Sequence, residues 1–236
     1  MVELLAMVRV PRVLVVTDRR IAFFPLPYQV SRTLAGIEKL GPSAVSKVGV
    51  LYREKDLEPS RRFELANCVA EVTFSYGASF IVATSSQRDG GALIAKELTA
   101  TGLHLSSDAL YPSKHALYGG LLGRSTHSPW AYFRAFIEGA DYVTISPIFS
   151  SLSKKGFTGS GVDLIRAVRS SAVEGTRRPV LLALGGIEIG KAKECITAGA
   201  DGVAVCGAVM KSRDPSSIAV SLLREVEAVS EKGKNR

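Results

Sequence analysis

Two short segments of small residues that suit phosphate binding follow neighbouring apolar runs of this sequence. "LGGI" carries Gly185 and Gly186, and "CGAV" carries Gly207 and Ala208. Because glycine has no Cβ, the backbone N–H groups beside it can approach an anion closely. The alternative is that these glycines only form tight turns. We predict that the four residues form a phosphate cradle.

A second cluster of chemistry-bearing residues is "YREK", at the end of another apolar run. Strand alternation places Arg53 and Lys55 on one side and Glu54 on the other. Two cations on the inner side of a strand end are costly unless they meet an anion. We therefore predict an anion-binding role, with a solvated strand end paired to Glu54 or Asp56 as the alternative.

The loop "SSLSKKGFTGSG" spans residues 150–161 and combines hydroxyl, lysine and glycine residues. This composition suits a flexible polar segment that closes over a phosphorylated substrate. A surface loop without a functional role has the same composition.

His127, in "RSTHS", is the histidine best placed for proton transfer. It ends a strand candidate, and an imidazole titrates near neutral pH, so we predict a general acid–base. A capping or structural role is the alternative. Ser125 and Ser128 are candidates to cap the helix that begins at Pro129. His104 is expected in the core and His115 at the surface.

Eight apolar segments that read as strands must position these residues, and helical patterns lie between them. The predicted strands cover residues 12–18, 47–55, 79–85, 102–107, 121–127, 141–149, 179–187 and 201–209. Near-continuous apolar strands that alternate with helices indicate a parallel sheet buried on both faces.

An internal repeat supports this arrangement. "GADYVTI" and "GADGVAV" place Gly139 and Gly199 60 residues apart, which is two units of about 30 residues. Each glycine ends a helix before the next strand. The pattern predicts a (β/α)8 TIM barrel, with its active site at the carboxyl ends of the strands and a phosphate site after strands seven and eight. An open doubly wound sheet is the main alternative.

Composition is consistent with one domain over residues 1–236, with a frayed tail at 230–236. The formal charge is +8, but its cations are dispersed, which favours small anionic substrates over nucleic acid. No apolar run is long enough for a membrane span, and three scattered cysteines suit a reduced cytoplasm. The sequence leaves assembly into a homo-oligomer open.

The motifs together resemble the thiamine phosphate synthase and TenI superfamily over nearly the whole chain. "VVTD", "YREKDL", "GLHLSS", "GRSTHS", "GADYVTISPIFSSLSKKG" and "LLALGGI…AGADGVAVCGAV" occur in the order typical of that superfamily. The resemblance implies a barrel that binds phosphorylated thiazole and pyrimidine intermediates. The synthase joins hydroxymethylpyrimidine diphosphate to thiazole phosphate and releases diphosphate with magnesium. TenI proteins tautomerise a thiazole carboxylate phosphate.

Several residues match the superfamily pattern. Arg53 and Lys55 match the diphosphate-binding pair, and Ser125 matches the serine that contacts the pyrimidine. Ser151, Ser153 and Lys154 correspond to the hydroxyls and lysine of the phosphate loop. The TenI catalytic histidine aligns with His127.

Other positions depart from the synthase pattern, mainly where it holds magnesium. Leu51 replaces a glutamine, and Ala83 and Thr84 replace an Asn-Asp pair. Asp108 stands one residue before the second metal carboxylate and is a weak metal candidate; Asp18 and Asp89 are other carboxylates that could take that place. We therefore expect a thiazole tautomerase with no required cofactor. The alternatives are a thiamine phosphate synthase that uses Mg²⁺ and a non-catalytic phosphate binder.

Overall fold

A closed barrel of parallel strands forms the centre of the molecule. The computed structural model describes residues 9–85, 89–109, 120–150, 159–171 and 178–234. Each strand pairs in parallel with the next one in the chain, and the last pairs with the first. The predicted (β/α)8 barrel is confirmed, and the open doubly wound sheet is excluded.

All eight predicted strands are present, and each is shorter than its sequence pattern indicated. The strands are β1 (Val13–Val16), β2 (Val48–Tyr52), β3 (Ser79–Thr84), β4 (Gly102–Leu105), β5 (Leu121–Thr126), β6 (Tyr142–Ile145), β7 (Val180–Leu184) and β8 (Gly202–Val205). The predicted segments also included residues of the adjoining turns, such as Thr17, Ser85 and His127, which lie beyond the last strand residues.

Helices cover the outside of the barrel. The described part of the chain contains α1 (Leu26–Glu38), α2 (Pro42–Val45), α3 (Pro59–Ser75), α4 (Gly91–Glu97), α5 (Pro129–Ile137), α6 (Asp163–Ser170), α7 (Lys191–Thr197), α8 (Gly207–Met210) and α9 (Pro215–Lys234). Proline opens several of them, because its fixed φ suits the first turn and its missing N–H has no partner there. None of these described helices is both long and apolar enough to cross a membrane.

Alternate residues of the strands divide the core into two layers. One side packs against the helices, with buried residues such as Phe80 and Val143. The other side fills the barrel interior with residues that include Leu51, Ala83 and Tyr142. Such continuous burial on both faces explains why the strands read as apolar runs rather than as alternating patterns.

The repeated Gly-Ala-Asp segments form two equivalent clamps at the amino end of the barrel. The amide of Asp141 donates to the Leu122 carbonyl at 2.8 Å, and its carboxylate accepts from the Leu122 amide at 2.9 Å. Asp201 makes the same two bonds with Leu181, each at 2.8 Å. The repeat therefore marks the starts of β6 and β8, where each aspartate binds the preceding strand.

Three segments are either not described by the structure or differ from the sequence-based prediction. Residues 110–119 of the connection between β4 and β5, which include His115, lie outside the described residues. The "CGAV" segment ends as the short helix α8 and not as strand, because a single apolar turn is indistinguishable from a strand end by composition. The α9 helix extends to Lys234, so a frayed tail at 230–236 stays a prediction.

Candidate active site

Four backbone amides that have no acceptor among the described residues lie at the carboxyl ends of β7 and β8. Within the described residues, the N–H groups of Gly185, Gly186, Gly207 and Ala208 donate to no acceptor. The last two are the first amides of α8, which have no partner inside a helix. We call these four residues the amide wall. These are the residues of the predicted phosphate cradle, and their binding of phosphate stays a prediction.

The two halves of the amide wall differ in the reason why glycine is present. Gly185 and Gly186 have φ values of +103° and +62°. A Cβ at Gly186 would also lie 2.5 Å from the Ser150 carbonyl oxygen, so Gly186 is needed by the turn itself. At Gly207 an added Cβ meets nothing within 4 Å. That open space lies beside the free amides, where an anion would sit.

Arg53 and Lys55 follow β2 at the same end of the barrel, and we call this pair the cation wall. The predicted alternation holds, because Glu54 is buried on the opposite side. Arg19 binds Glu54 at 3.1 Å and Asp56 at 2.9 Å. Neither Arg53 nor Lys55 has a described carboxylate within 4.0 Å. Pairing with Glu54 or Asp56, the alternative considered for the sequence, does not occur.

The cation wall influences the barrel interior. Burial lowers the pKa of Lys55, and the positive charges of Arg53 and Arg62 lower it further against the opposing effect of Asp89 and Asp108. Lys55 and Arg53 also help to lower the pKa of His104 to about 3, although burial is the larger cause. Both cations therefore act on the space above His104.

A buried hydrogen-bond chain lies below the mouth of the barrel. His104 contacts the Tyr142 hydroxyl through Nδ1 at 3.0 Å and the Ser125 hydroxyl through Nε2 at 2.9 Å. His104 is buried, as expected, but its role in orienting Ser125 was missed. The sequence offered one indication of this arrangement, a glycine at position 123 inside a predicted strand. An added Cβ at Gly123 would lie 2.0 Å from the Tyr142 ring, so the ring that contacts His104 needs a glycine there.

Ser125 belongs to the site and Ser128 to the helix. Ser125 faces the interior on β5, whereas the Ser128 hydroxyl accepts from the Ala131 amide at 3.2 Å and caps α5. The interior near Ser125 also holds Thr144, whose buried hydroxyl has no described partner. On the opposite side, Leu51 and Ala83 present only apolar surface. The polar side of the interior is thus formed by β4, β5 and β6.

His127 lies just after β5 and is exposed. Its Nδ1 is 2.7 Å from the Ser146 carbonyl oxygen. A carbonyl only accepts, so Nδ1 carries the hydrogen and Nε2 is the unprotonated nitrogen of the neutral ring. This arrangement fixes the ring orientation and leaves Nε2 available as a base.

The other predicted contacts, Ser151, Ser153 and Lys154, lie outside the described residues. The chain on either side of them is closely paired. The amide of Ser160 donates to the Pro147 carbonyl at 3.0 Å, and that of Gly161 donates to the Ile148 carbonyl at 2.8 Å. The loop therefore leaves and rejoins the barrel beside the amide wall.

The described carboxylates do not fit a magnesium site. Asp89, next to the position of Thr84, accepts from the Thr84 hydroxyl and the Gly91 amide on Oδ1. Its Oδ2 accepts from the Ser85 amide and hydroxyl. Asp108 is exposed, and no group of three potential ligands occurs among the residues described. Magnesium prefers several free carboxylate or water oxygens, and these oxygens are already in use.

The fold and the site define a (β/α)8 barrel whose mouth carries amides and cations that have no partner among the described residues. Residues 15–209 match the family model described as thiamine monophosphate synthase. A thiamine-phosphate synthase of Thermus thermophilus is 30% identical over 76% of this chain and 83% of its own length. Another, from Methanoculleus marisnigri, is 32% identical over 86% of this chain and 92% of its own length.

A solved structure extends the similarity to three dimensions. Thiamine phosphate pyrophosphorylase from Pyrococcus furiosus superposes with a TM-score of 0.73 and 26% identity, over 92% of this chain and 96% of that one. The chain belongs to the thiamine monophosphate synthase family.

Proposed function

We propose that this protein is a thiamine phosphate synthase, which joins hydroxymethylpyrimidine diphosphate to thiazole phosphate. The observation that carries the proposal is that backbone amides and two cations without described partners form two separate groups at one barrel mouth. The amide wall suits the thiazole phosphate, and the cation wall suits the diphosphate of the pyrimidine. The synthase names of the relatives support the same assignment.

The two walls would align the reacting atoms. The bond between the pyrimidine methylene carbon and the diphosphate oxygen breaks, and the diphosphate leaves with the electron pair. The lone pair of the thiazole nitrogen forms the new bond to that carbon and gives the thiazolium. Arg53 and Lys55 stabilise the charge on the departing diphosphate. Holding both substrates at fixed positions lowers the entropic cost of this bimolecular step.

Ser125 would orient the pyrimidine between the walls. Its hydroxyl is held by His104, which remains neutral because burial lowers its pKa to about 3. A neutral partner leaves Ser125 as a hydrogen-bonding group without adding charge next to the electron-poor methylene carbon. The apolar surface of Leu51 and Ala83 would pack against the ring from the other side.

The direct test is incubation of the purified protein with both substrates, with and without magnesium. We expect thiamine phosphate and diphosphate in equal amounts, and a large loss of product in Lys55→Gln. Absence of thiamine phosphate under both conditions, with both substrates shown to bind, would refute the synthase assignment.

A second candidate is the thiazole tautomerase that the sequence favoured. His127 supports it, since this exposed residue follows β5 and the Ser146 carbonyl orients its ring through Nδ1. The replacements at Leu51, Ala83 and Thr84 support it as well. A tautomerase would move a proton between ring positions of a thiazole carboxylate phosphate held by the amide wall. The names of the relatives favour the synthase, so the tautomerase takes second place.

His127→Asn separates the two candidates. A tautomerase would lose ~10²–10⁴-fold in turnover with its affinity for the phosphate retained. A synthase that uses Ser125 and the cation wall would keep most of its activity. Binding of both ligands without either reaction would identify the non-catalytic binder instead. The cytoplasmic location and the homo-oligomer stay predictions.

A further inference from the structure

Three acidic residues near the cation wall are paired with arginines. Arg19 lies between Glu54 and Asp56, with nitrogen–oxygen distances of 3.1 and 2.9 Å. Arg20 binds both oxygens of Asp18 at 3.0 Å. These carboxylates therefore have their charge balanced within the protein and offer little to a bound cation.

Asp89 is occupied in a different way. Four hydrogen bonds from Thr84, Ser85 and Gly91 use both oxygens of its carboxylate. Burial opposes its ionisation, but these hydrogen bonds outweigh burial and lower its pKa. The carboxylate caps the turn before α4. A metal at this position would have to break that turn.

Asp108 is the described acidic residue that remains accessible near the cation wall. It is exposed, and its pKa is lowered first by the nearby Ser106 hydroxyl and to a smaller extent by Lys55 and Arg124. One exposed carboxylate is a poor magnesium site, because Mg²⁺ needs near-octahedral oxygen coordination and dehydrates reluctantly.

The cation wall differs from these carboxylates, because no described group of opposite charge lies next to it. Arg53 and Lys55 have no described carboxylate within 4.0 Å, and Lys55 is half-buried. A partly desolvated ammonium is costly unless an anion compensates it. The local charges therefore favour an anion that arrives with its full negative charge.

We propose that the cation wall binds a diphosphate group as the free anion and not as its magnesium complex, with Arg53 and Lys55 supplying the positive charge. This inference rests on the proposed function for the identity of the ligand. Coordination of magnesium removes two negative charges from diphosphate, and so weakens its attraction to the cation wall. The complex would also bring its hydrated cation close to two positive side chains.

Titration calorimetry with inorganic diphosphate tests the proposal without requiring turnover. We expect binding in EDTA, and an apparent affinity at least several-fold weaker when magnesium is in excess over diphosphate. Tightening by tenfold or more with magnesium, or no binding in EDTA, would overturn the proposal.

Variants assign the binding to the cation wall. Arg53→Gln and Lys55→Gln should each weaken diphosphate binding in EDTA by about tenfold or more. Lys39→Gln is the matched control, since it removes one positive charge from the exposed C-cap of α1 at the other end of the barrel. That control should change affinity by less than about twofold, because surface charges more than a Debye length apart are screened. Equal losses in all three variants would contradict a local site.

The outcomes separate this inference from the proposed function. Metal-free diphosphate binding without formation of thiamine phosphate would contradict the synthase and leave the inference intact. Formation of thiamine phosphate by a protein whose diphosphate binding requires magnesium would contradict the inference and leave the synthase intact.

Discussion

The wall beside β7 and β8 offers backbone amides, whereas the wall beside β2 offers the side chains of Arg53 and Lys55. The amides are fixed by the turn geometry of Gly185 and Gly186 and by the start of α8. The cations are held by long side chains, and burial lowers the pKa of one of them. The two walls therefore differ in rigidity, in titration and in their response to substitution.

This difference suits two anions with different fates. A group that stays attached to the product benefits from fixed dipoles, whose positions do not depend on pH or ligand charge. A leaving group gains charge as its bond breaks, and mobile cations can follow it. The predictions below test whether the two walls act independently.

The largest expected effect comes from filling the space in the amide wall. Gly207→Val places methyl groups where an added Cβ meets no protein atom, so the fold should remain intact. Loss of two hydrogen bonds to a charged phosphate, at about 1.5 kcal/mol each, predicts ~100-fold weaker binding of thiazole phosphate. Calorimetry with thiazole phosphate measures this change.

Gly207→Ala should show a smaller loss in the same direction. Binding of inorganic diphosphate to the cation wall is the internal control and should be unchanged in both variants. Gly186→Ala is a poor substitute, because its Cβ would strike Ser150 and alter the turn regardless of ligand. Unchanged thiazole phosphate affinity in Gly207→Val would place the phosphate elsewhere.

The next effect concerns the neutral residue between the walls. The pKa of His104 is about 3 in the folded protein, against an ordinary value of 6.5, mainly because of burial. The unfolded chain therefore takes up a proton below pH 6.5 that the folded protein refuses. The free energy of unfolding therefore has the full contribution of neutral His104 above pH 6.5. It decreases as pH falls towards 3, by at most about 1.4 kcal/mol per pH unit.

Urea unfolding at pH 7, 6, 5 and 4 measures that slope. His104→Asn lacks the titrating ring, so it should be less stable at pH 7 but should lose less stability on acidification. Parallel curves for the parent and the variant would show that His104 is not the cause of the acid sensitivity.

The smallest expected effect is a pH dependence of ligand affinity that occurs at the cation wall and not at the amide wall. The pKa of Lys55 is lowered, chiefly by burial, so the free protein begins to lose this charge below the ordinary lysine value of 10.5. A bound anion favours the protonated form. Diphosphate affinity should therefore be highest below the pKa of Lys55 in the free protein. It should fall by severalfold as the pH rises through that pKa.

Binding of thiazole phosphate should stay constant over the same alkaline range, because backbone amides do not titrate there. Lys55→Arg should remove the decline in diphosphate affinity, since arginine remains charged. A decline that persists in this variant would assign the titration to another group.

The sequence predicted the barrel well because the pattern repeats along the chain. Eight apolar runs separated by helical segments admit few arrangements, and the spacing of Gly139 and Gly199 set the unit length. Alternation also placed Glu54 opposite Arg53 and Lys55 correctly. Strand ends were less accurate, because the predicted segments included polar turn residues such as Thr17 and Ser85, which lie beyond the last strand residues.

The interactions within the site could not be read in the same way. His104 reaches residues 21 and 38 positions away, on two other strands. Asp89 was a candidate metal ligand by residue type, but its role as a cap depends on the path of the chain between Thr84 and Gly91. Such contacts depend on geometry that one-dimensional patterns do not contain.

The aspartate clamps at the amino end have a consequence for how this barrel can change over evolutionary time. Asp141 and Asp201 fix the alignment of β6 and β8 with the preceding strands through backbone hydrogen bonds, at the end of the barrel opposite the mouth. Strand alignment at these two points therefore does not depend on which side chains surround the ligand. A lineage can exchange residues such as Leu51 or Ala83, and with them its chemistry, while it inherits an unchanged scaffold.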